Sequence, residues 1–98
     1  MIRDKQRKDK WRMCKILHAI KRAKQRYGIF IGADTILQIG DDIRKGNCQL
    51  IEKRTNTVAV YDVGVRDEFK GTVRCRVVYS KTWKFPVTFL AMPVEDER

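Results

Sequence analysis

Residues 72–92 read TVRCRVVYSKTWKFPVTFLAM, and this stretch decides the fold class. Residues suited to a buried face recur at every second position over Thr72–Ser80 and again over Phe85–Met92, which predicts two β-strands. The segment SKTWK, from the last residue of the first strand at 80 to residue 84, forms a short polar connection. Such a connection favours an antiparallel hairpin over a crossover between parallel strands.

The same alternation extends upstream and predicts two more strands, Gln49–Lys53 and Thr57–Val63. Short polar segments join the strands, so we expect a four-stranded antiparallel meander. Residues two apart share a sheet face, which gives two expected sets. The set expected to face the helices is Val58, Val60, Val73, Cys75, Val77, Tyr79, Phe85, Val87 and Phe89. The set expected on the opposite face is Ala59, Tyr61, Arg74, Arg76, Val78, Pro86, Thr88 and Leu90.

Before Gly46 the hydrophobic period is 3.6, which predicts two helices. The first covers Trp11–Tyr27 and ends at Gly28; its expected apolar stripe is Met13, Ile16, Leu17, Ile20, Ala23 and Tyr27. Asp34 is the expected N-cap of the second helix, whose inner stripe is Ile36, Leu37, Ile39 and Ile43. The predicted fold is therefore α+β, with two N-terminal helices packed on one face of a four-stranded antiparallel sheet.

The length of 98 residues allows one compact domain. We expect a basic N-terminal extension over residues 1–10, the domain over 11–93 and an acidic tail over 94–98. No apolar run is long enough to span a bilayer, so we expect no membrane partner. The three cysteines are far apart and outside any metal-ligand spacing, which argues against disulfides or zinc and favours the cytoplasm; no metal or cofactor is expected.

The net charge of +10 lies almost entirely in the first quarter of the chain. Residues 1–26 contain eleven Lys or Arg and two Asp, whereas residues 27–98 contain eleven basic and ten acidic residues. A block of this charge density binds polyanions and releases their counterions, so nucleic acid is the first partner to consider. For residues 1–10 the alternative is a disordered, solubilising tail.

His18, Arg22 and Arg26 recur at four-residue spacing and so share one face of the first helix. Metal-free RNA cleavage needs a group that accepts the 2′-hydroxyl proton, a group that protonates the leaving 5′-oxygen, and fixed positive charge. Histidine titrates near neutrality, and the planar fork of arginine can hold two phosphate oxygens. Only one histidine is present, so the second proton-transfer role would fall to a tyrosine, a lysine or water.

Ordinary structural roles remain open for these residues. A single helical histidine can be a partly buried or hydrogen-bonding helix residue, and the arginines of the sheet can belong to a solvated face. If the helices cover one sheet face and Arg76 and Thr88 lie on the other, His18 can join them only near a sheet edge or in a cleft beside the first helix.

The order of motifs resembles the small ribonuclease toxins of the barnase, EndoU, colicin and RelE superfamily. The similarity runs from about Leu17 to Pro93 and is greatest to the short versions found as toxin domains and as stand-alone phage or bacterial proteins. The motifs are His18-Ala19-x-x-Arg22, Arg26-Tyr27-Gly28, IRKGN at 43–47, Arg76-Val77-Val78-Tyr79, and Val87-Thr88 ahead of Met92-Pro93.

The resemblance implies a metal-independent endoribonuclease that leaves a cyclic phosphate and a 5′-hydroxyl. It implies a partner of RNA, and a cognate acidic antitoxin or immunity protein is a further candidate. The implied catalytic set is His18, Arg22, Arg76 and Thr88, and the expected RNA-binding set is Lys15, Arg26, Tyr61, Arg74 and Trp83.

Two alternative functional interpretations, neither of them an enzyme, stay open. One is a non-catalytic protein, encoded by a phage or mobile element, that binds and inhibits a nucleic-acid enzyme. The other is a DNA-binding module, which is weaker because strands follow the second helix where a helix-turn-helix would have a recognition helix.

Overall fold

The computed structural model describes residues 4–91, with side chains from Lys10 onward. It has the expected α+β architecture, in which two helices precede a four-stranded antiparallel sheet and pack on it. The expected acidic tail and the Met92-Pro93 motif lie outside the described residues. In the part of the chain described, no helix is long and apolar enough to cross a membrane.

Helix α1 spans Asp4–Tyr27 and begins seven residues earlier than the sequence predicts. Residues 4–10 of the basic segment therefore continue the same helix. Its fully buried face consists of Ile16, Ala19 and Ala23. The predicted stripe was wrong at Met13 and Leu17, which are 48% and 56% exposed. Small alanines let the helix backbone approach the sheet closely, so the contact face centres on them and these two larger side chains lie outside it.

Helix α2 spans Ala33–Arg44 and buries Ile36, Ile39 and Ile43. Gly32 is its N-cap, so the prediction of Asp34 as the cap was wrong. Asp34 lies in the first turn, where a carboxylate interacts favourably with the positive end of the helix dipole. The helix ends before Gly46, as predicted, with a left-handed φ of 81° at that glycine.

The four strands pair in chain order, β1-β2-β3-β4, and every neighbouring pair is antiparallel. Their bounds are Gln49–Lys53, Val58–Asp67, Gly71–Ser80 and Phe85–Leu90. Strand β2 runs four residues further than predicted because the Asp67 carboxylate organises the turn after it. This carboxylate accepts the backbone N–H groups of Phe69 and Lys70, each at 3.0 Å.

The register shows that our face assignment for β2 was wrong. Tyr61 lies opposite Val77, and Val63 lies opposite Cys75, so these residues share the helix-covered face. Val60 lies opposite Val78 and faces the other way. Ala59 and Tyr61 therefore belong to the inner face, and Val58 and Val60 to the outer one. The assignments of Cys75, Val77, Tyr79, Phe85 and Phe89 to the core are confirmed.

Helix α1 packs along the edge strand β4, and α2 crosses the sheet against β4 and β2. Strand β1, at the opposite edge, is exposed at all five positions. The helices and the core therefore lie toward the β4 side of the sheet. This arrangement places the polar side of α1 next to an open sheet edge.

Candidate nucleic-acid interface

The side of α1 away from the core presents the basic side chains singled out in the sequence. Because Ile16, Ala19 and Ala23 turn toward the sheet, His18 and Arg26 are exposed, whereas Arg22 is half-buried. The Arg22 guanidinium donates a hydrogen bond of 3.0 Å to the side-chain oxygen of Gln25 one turn later. The predicted sharing of one helix face is thus met, with Arg22 nearest the body of the protein.

His18 and Thr88 line the same groove, which runs between α1 and the edge strand β4 and has a volume of about 420 Å³. Lys15 and Cys14 complete the helix wall, and Val87 completes the strand wall. The lining of the groove therefore includes a histidine, a cation and a hydroxyl. Of the four expected catalytic residues, these contacts bring together His18 and Thr88.

Arg76 lies one strand further into the sheet, on the same face as Thr88. The register pairs Arg76 with Leu90 and Val78 with Thr88, so the side chains of Arg76 and Thr88 are diagonal neighbours on that face. The Nε atom of Arg76 is buried and has no hydrogen-bond partner among the described residues. Arg76 therefore flanks the groove, although it is not among the residues that line it.

Arg74 is placed on the outer sheet face, as expected, but it forms an ion pair. Its guanidinium lies 3.0 Å from the Oδ1 atom of Asp62. Asp62, on β2, is also the register partner of Arg76 on β3. The Asp62 carboxylate thus contributes negative charge between the two arginines. Arg74 is more than half exposed, which leaves its outer edge open to solvent.

Tyr61 and Trp83, two expected RNA-binding residues, have different surroundings. Tyr61 lies on the inner sheet face, where its ring packs edge-on against Tyr79 with centroids 5.9 Å apart. It is on β2, two strands away from β4, whose Val87 and Thr88 line the groove. Trp83 lies in the β3–β4 turn, half-buried, with the Lys15 ammonium 5.7 Å from its ring centroid. This contact places Trp83 beside the groove.

Tyr27 has a positioning role that the sequence analysis missed. The backbone N–H of Arg76 donates to the Tyr27 hydroxyl at 3.0 Å, and that hydroxyl donates in turn to the carbonyl of Leu90. Arg76 and Leu90 are opposite each other in the β3–β4 pair, so the hydroxyl links both strands to α1. Burial raises the pKa of Tyr27, which keeps the hydroxyl protonated for this bond. A long-range bond of this kind has no periodic signal in a sequence.

Cys14 was also missed as a member of the groove, and it differs from the other two cysteines. Its side chain is exposed, whereas Cys48 is half-buried and Cys75 is buried. Burial raises the pKa of the Cys48 thiol and raises that of Cys75 to about 12. The signal available in the sequence was its position four residues before His18, which puts both on one helix face.

Within residues 10–91, no group of three or more His, Cys, Asp or Glu side chains is arranged to hold a metal ion. Comparisons with known protein families, with curated proteins and with solved structures gave no match to this chain.

Proposed function

We propose that this protein is an RNA-binding endoribonuclease of the toxin type, which cleaves by transesterification through the 2′-hydroxyl. The observation that carries the proposal is the shared groove of His18 and Thr88, with Lys15 in the same wall. The three groups come from two elements that are far apart in sequence. Packing of α1 on the edge strand β4 is what brings them together.

In the proposed reaction, a base removes the 2′-hydroxyl proton and the 2′-oxygen forms a bond to phosphorus. The bond from phosphorus to the 5′-oxygen then breaks, and an acid protonates that oxygen. The products are a 2′,3′-cyclic phosphate and a 5′-hydroxyl. His18 transfers one of the two protons, while the Thr88 hydroxyl donates to a phosphate oxygen. Lys15 and the neighbouring Arg22 stabilise the negative charge that develops in the transition state.

We infer that the second proton-transfer group is not a tyrosine. The chain has three tyrosines, and none of them lines the groove. Tyr61 faces the inner side of the sheet, Tyr79 is buried, and the Tyr27 hydroxyl is occupied by its backbone partners. Lys15, which lines the groove, and water are left as candidates.

A second candidate function is a non-catalytic protein that binds and inhibits a nucleic-acid enzyme. The exposed apolar side chains of α1 favour it: Trp11, Met13 and Leu17 are 58%, 48% and 56% exposed on a helix that is otherwise strongly basic. Protein interfaces are enriched in tryptophan and methionine, whereas phosphate contacts do not need them. In that reading the groove is a docking surface without chemistry.

The proposed function is tested by incubating the purified protein with single-stranded RNA in the presence of EDTA and identifying the ends of the products. We expect cyclic phosphate and 5′-hydroxyl ends. A Thr88→Val protein, purified in parallel, should cleave about 10- to 100-fold more slowly, because its shape is kept and only the hydroxyl donor is lost. RNA that stays intact with a folded wild-type protein would contradict the nuclease proposal and favour the inhibitor interpretation.

A further inference from the structure

A second and larger groove, with a volume of about 560 Å³, lies beside Trp83. Its walls come from α1, from the outer side of α2 and from the turn between β3 and β4. Arg12 lines it from α1, and Trp83 and Lys84 line it from the turn. The proposed chemistry uses none of these three residues.

A row of side chains on α1 connects this second groove with the His18–Thr88 groove. His18, Lys15 and Arg12 are spaced three residues apart, so they form one oblique row along the helix surface. Lys15 lines the first groove and lies over the Trp83 ring, whereas Arg12 lines the second. No acidic residue interrupts α1 between Arg12 and His18. The row therefore offers a continuous cationic path from one groove to the other.

Three cations, Arg12, Arg44 and Lys84, and two carboxylates, Asp34 and Asp41, line the second groove, so its lining carries one net positive charge. Arg44 is paired with Asp41 at 2.8 Å and also donates to the Lys84 carbonyl oxygen. Arg12 and the Lys84 ammonium form no ion pair with any carboxylate of the described residues. The Arg12 guanidinium instead lies 5.6 Å from the centroid of the Phe85 ring.

Trp83 adds an aromatic surface to the lining of the same groove. Its indole is half-buried and rests against Phe85, with ring centroids 6.3 Å apart, so the ring is held in place by the core. An aromatic ring held by the core, with cations beside it, is a combination that binds single-stranded nucleic acid, because the base stacks and the phosphates pair with the cations. A base in a duplex cannot present its face in this way.

We propose that the second groove is a binding subsite for a nucleotide that flanks the scissile bond, with the base against Trp83 and its phosphate between Arg12 and Lys84. This inference rests on the proposed function, because it extends the same RNA along α1 from His18 toward Arg12. It makes the substrate a single strand of several nucleotides rather than a dinucleotide or a duplex.

The test uses fluorescence of the full chain carrying Trp11→Phe, in which Trp83 is the single remaining tryptophan. The probes are 2′-O-methylated single strands of two and six nucleotides, which cannot be cleaved through the 2′-oxygen. We expect the hexamer to quench Trp83 and to bind roughly tenfold more tightly than the dimer, the gain typical of one stacked base. Adding Arg12→Gln should remove most of that gain and leave dimer binding unchanged. Lys53→Gln, on the distant strand β1, should change neither.

Equal affinity for the two probes, or a hexamer that leaves Trp83 fluorescence unchanged, would overturn the subsite. The fluorescence measurement does not depend on cleavage, so its result is independent of the proposed nuclease activity. A protein that fails to cleave RNA but shows the hexamer gain retains the subsite and loses the nuclease activity. A protein that cleaves dimer and hexamer RNA with equal kcat/KM and no quenching retains the activity and loses the subsite. A Trp83→Leu protein, which keeps apolar packing on Phe85, should bind both probes equally.

Discussion

The hydroxyl group of Tyr27 links α1 to both β3 and β4. It accepts from the Arg76 backbone and donates to the Leu90 carbonyl, and both groups lie next to the candidate site. Tyr27→Phe should lower the free energy of unfolding by about 1–3 kcal/mol, since it leaves two partly buried backbone groups without a partner. Urea denaturation measures this.

Tyr61→Phe is the matched control for that measurement, because the Tyr61 hydroxyl has no hydrogen bond to any other described residue. Its loss should change the stability by less than about 0.5 kcal/mol. Equal effects of the two substitutions would contradict the bridging role of Tyr27.

Asp67 gives the fold an acid-sensitive turn. Desolvation of its carboxylate would raise its pKa, but hydrogen bonds from the backbone N–H groups of Phe69, Phe30 and Lys70 outweigh this and lower it. A lowered pKa in the folded state contributes stability that is fully present above the ordinary value of 3.8 and is lost as the pH falls through the folded value. Stability measured by urea unfolding should therefore decrease below about pH 4.

Asp67→Asn removes the titrating group. The variant should therefore be less stable than the wild-type protein at neutral pH, and its stability should vary less between pH 2.5 and 5. A wild-type and a mutant protein with parallel pH dependence in that range would show that this carboxylate is not linked to folding.

At the scale of elements, the contact of α2 with the β3–β4 turn depends on Gly40. A Cβ atom there would lie 2.5 Å from the Lys84 carbonyl oxygen and 3.0 Å from the Phe85 Cα. Both are backbone atoms, which cannot move aside without shifting β4. Gly40→Ala should therefore destabilise by about 1–3 kcal/mol, although alanine favours an exposed helix interior by about 1 kcal/mol over glycine.

Gly32→Ala is the comparison, because a Cβ atom there meets nothing within 4 Å. Its cost should stay below about 1 kcal/mol, the value of a weaker N-cap. Thermal or urea unfolding of both variants measures the difference. A Gly40→Ala protein as stable as the wild type would mean that α2 does not approach the turn this closely.

The elements also show which parts of the fold could be predicted. Element order and strand pairing followed from periodicity and short connections, and both are confirmed. The facing of β2 could not be predicted, because Val58 and Val60 on one side are about as apolar as Ala59 and Tyr61 on the other. Only the register with β3 decides between them.

The candidate site was predictable in part. His18 and Thr88 were proposed as partners from the resemblance, and the structure brings them into one groove. The position of Lys15 beside Trp83 and the hydrogen bonds of the Tyr27 hydroxyl depend on which side of α1 faces β4. Rotation of a helix about its axis follows from close packing at Ala19 and Ala23, which the distribution of large apolar residues does not reveal.

At the scale of the whole molecule, positive charge is concentrated on α1 while β1 forms the opposite edge of the sheet. If RNA follows α1, each lost phosphate contact should lower the slope of log affinity against log salt by about 0.7 for single strands. Lys15→Gln should show that decrease with a 2′-O-methylated oligonucleotide, measured by titration at several salt concentrations. Lys53→Gln removes the same charge from β1 and should leave the slope unchanged. Equal slopes in both variants would place the RNA elsewhere.

The central claim is that the groove between α1 and β4 cleaves RNA, and the most direct measurement is the cleavage rate of His18→Ala in EDTA. The rate should fall roughly 10²-fold or more, as expected for the loss of a proton-transfer group. Stability should change by less than about 1 kcal/mol, because His18 is exposed. Lys21→Ala, an exposed α1 variant outside the groove, should retain most of the rate. A His18→Ala protein that folds normally and cleaves RNA as fast as the wild type would contradict the account.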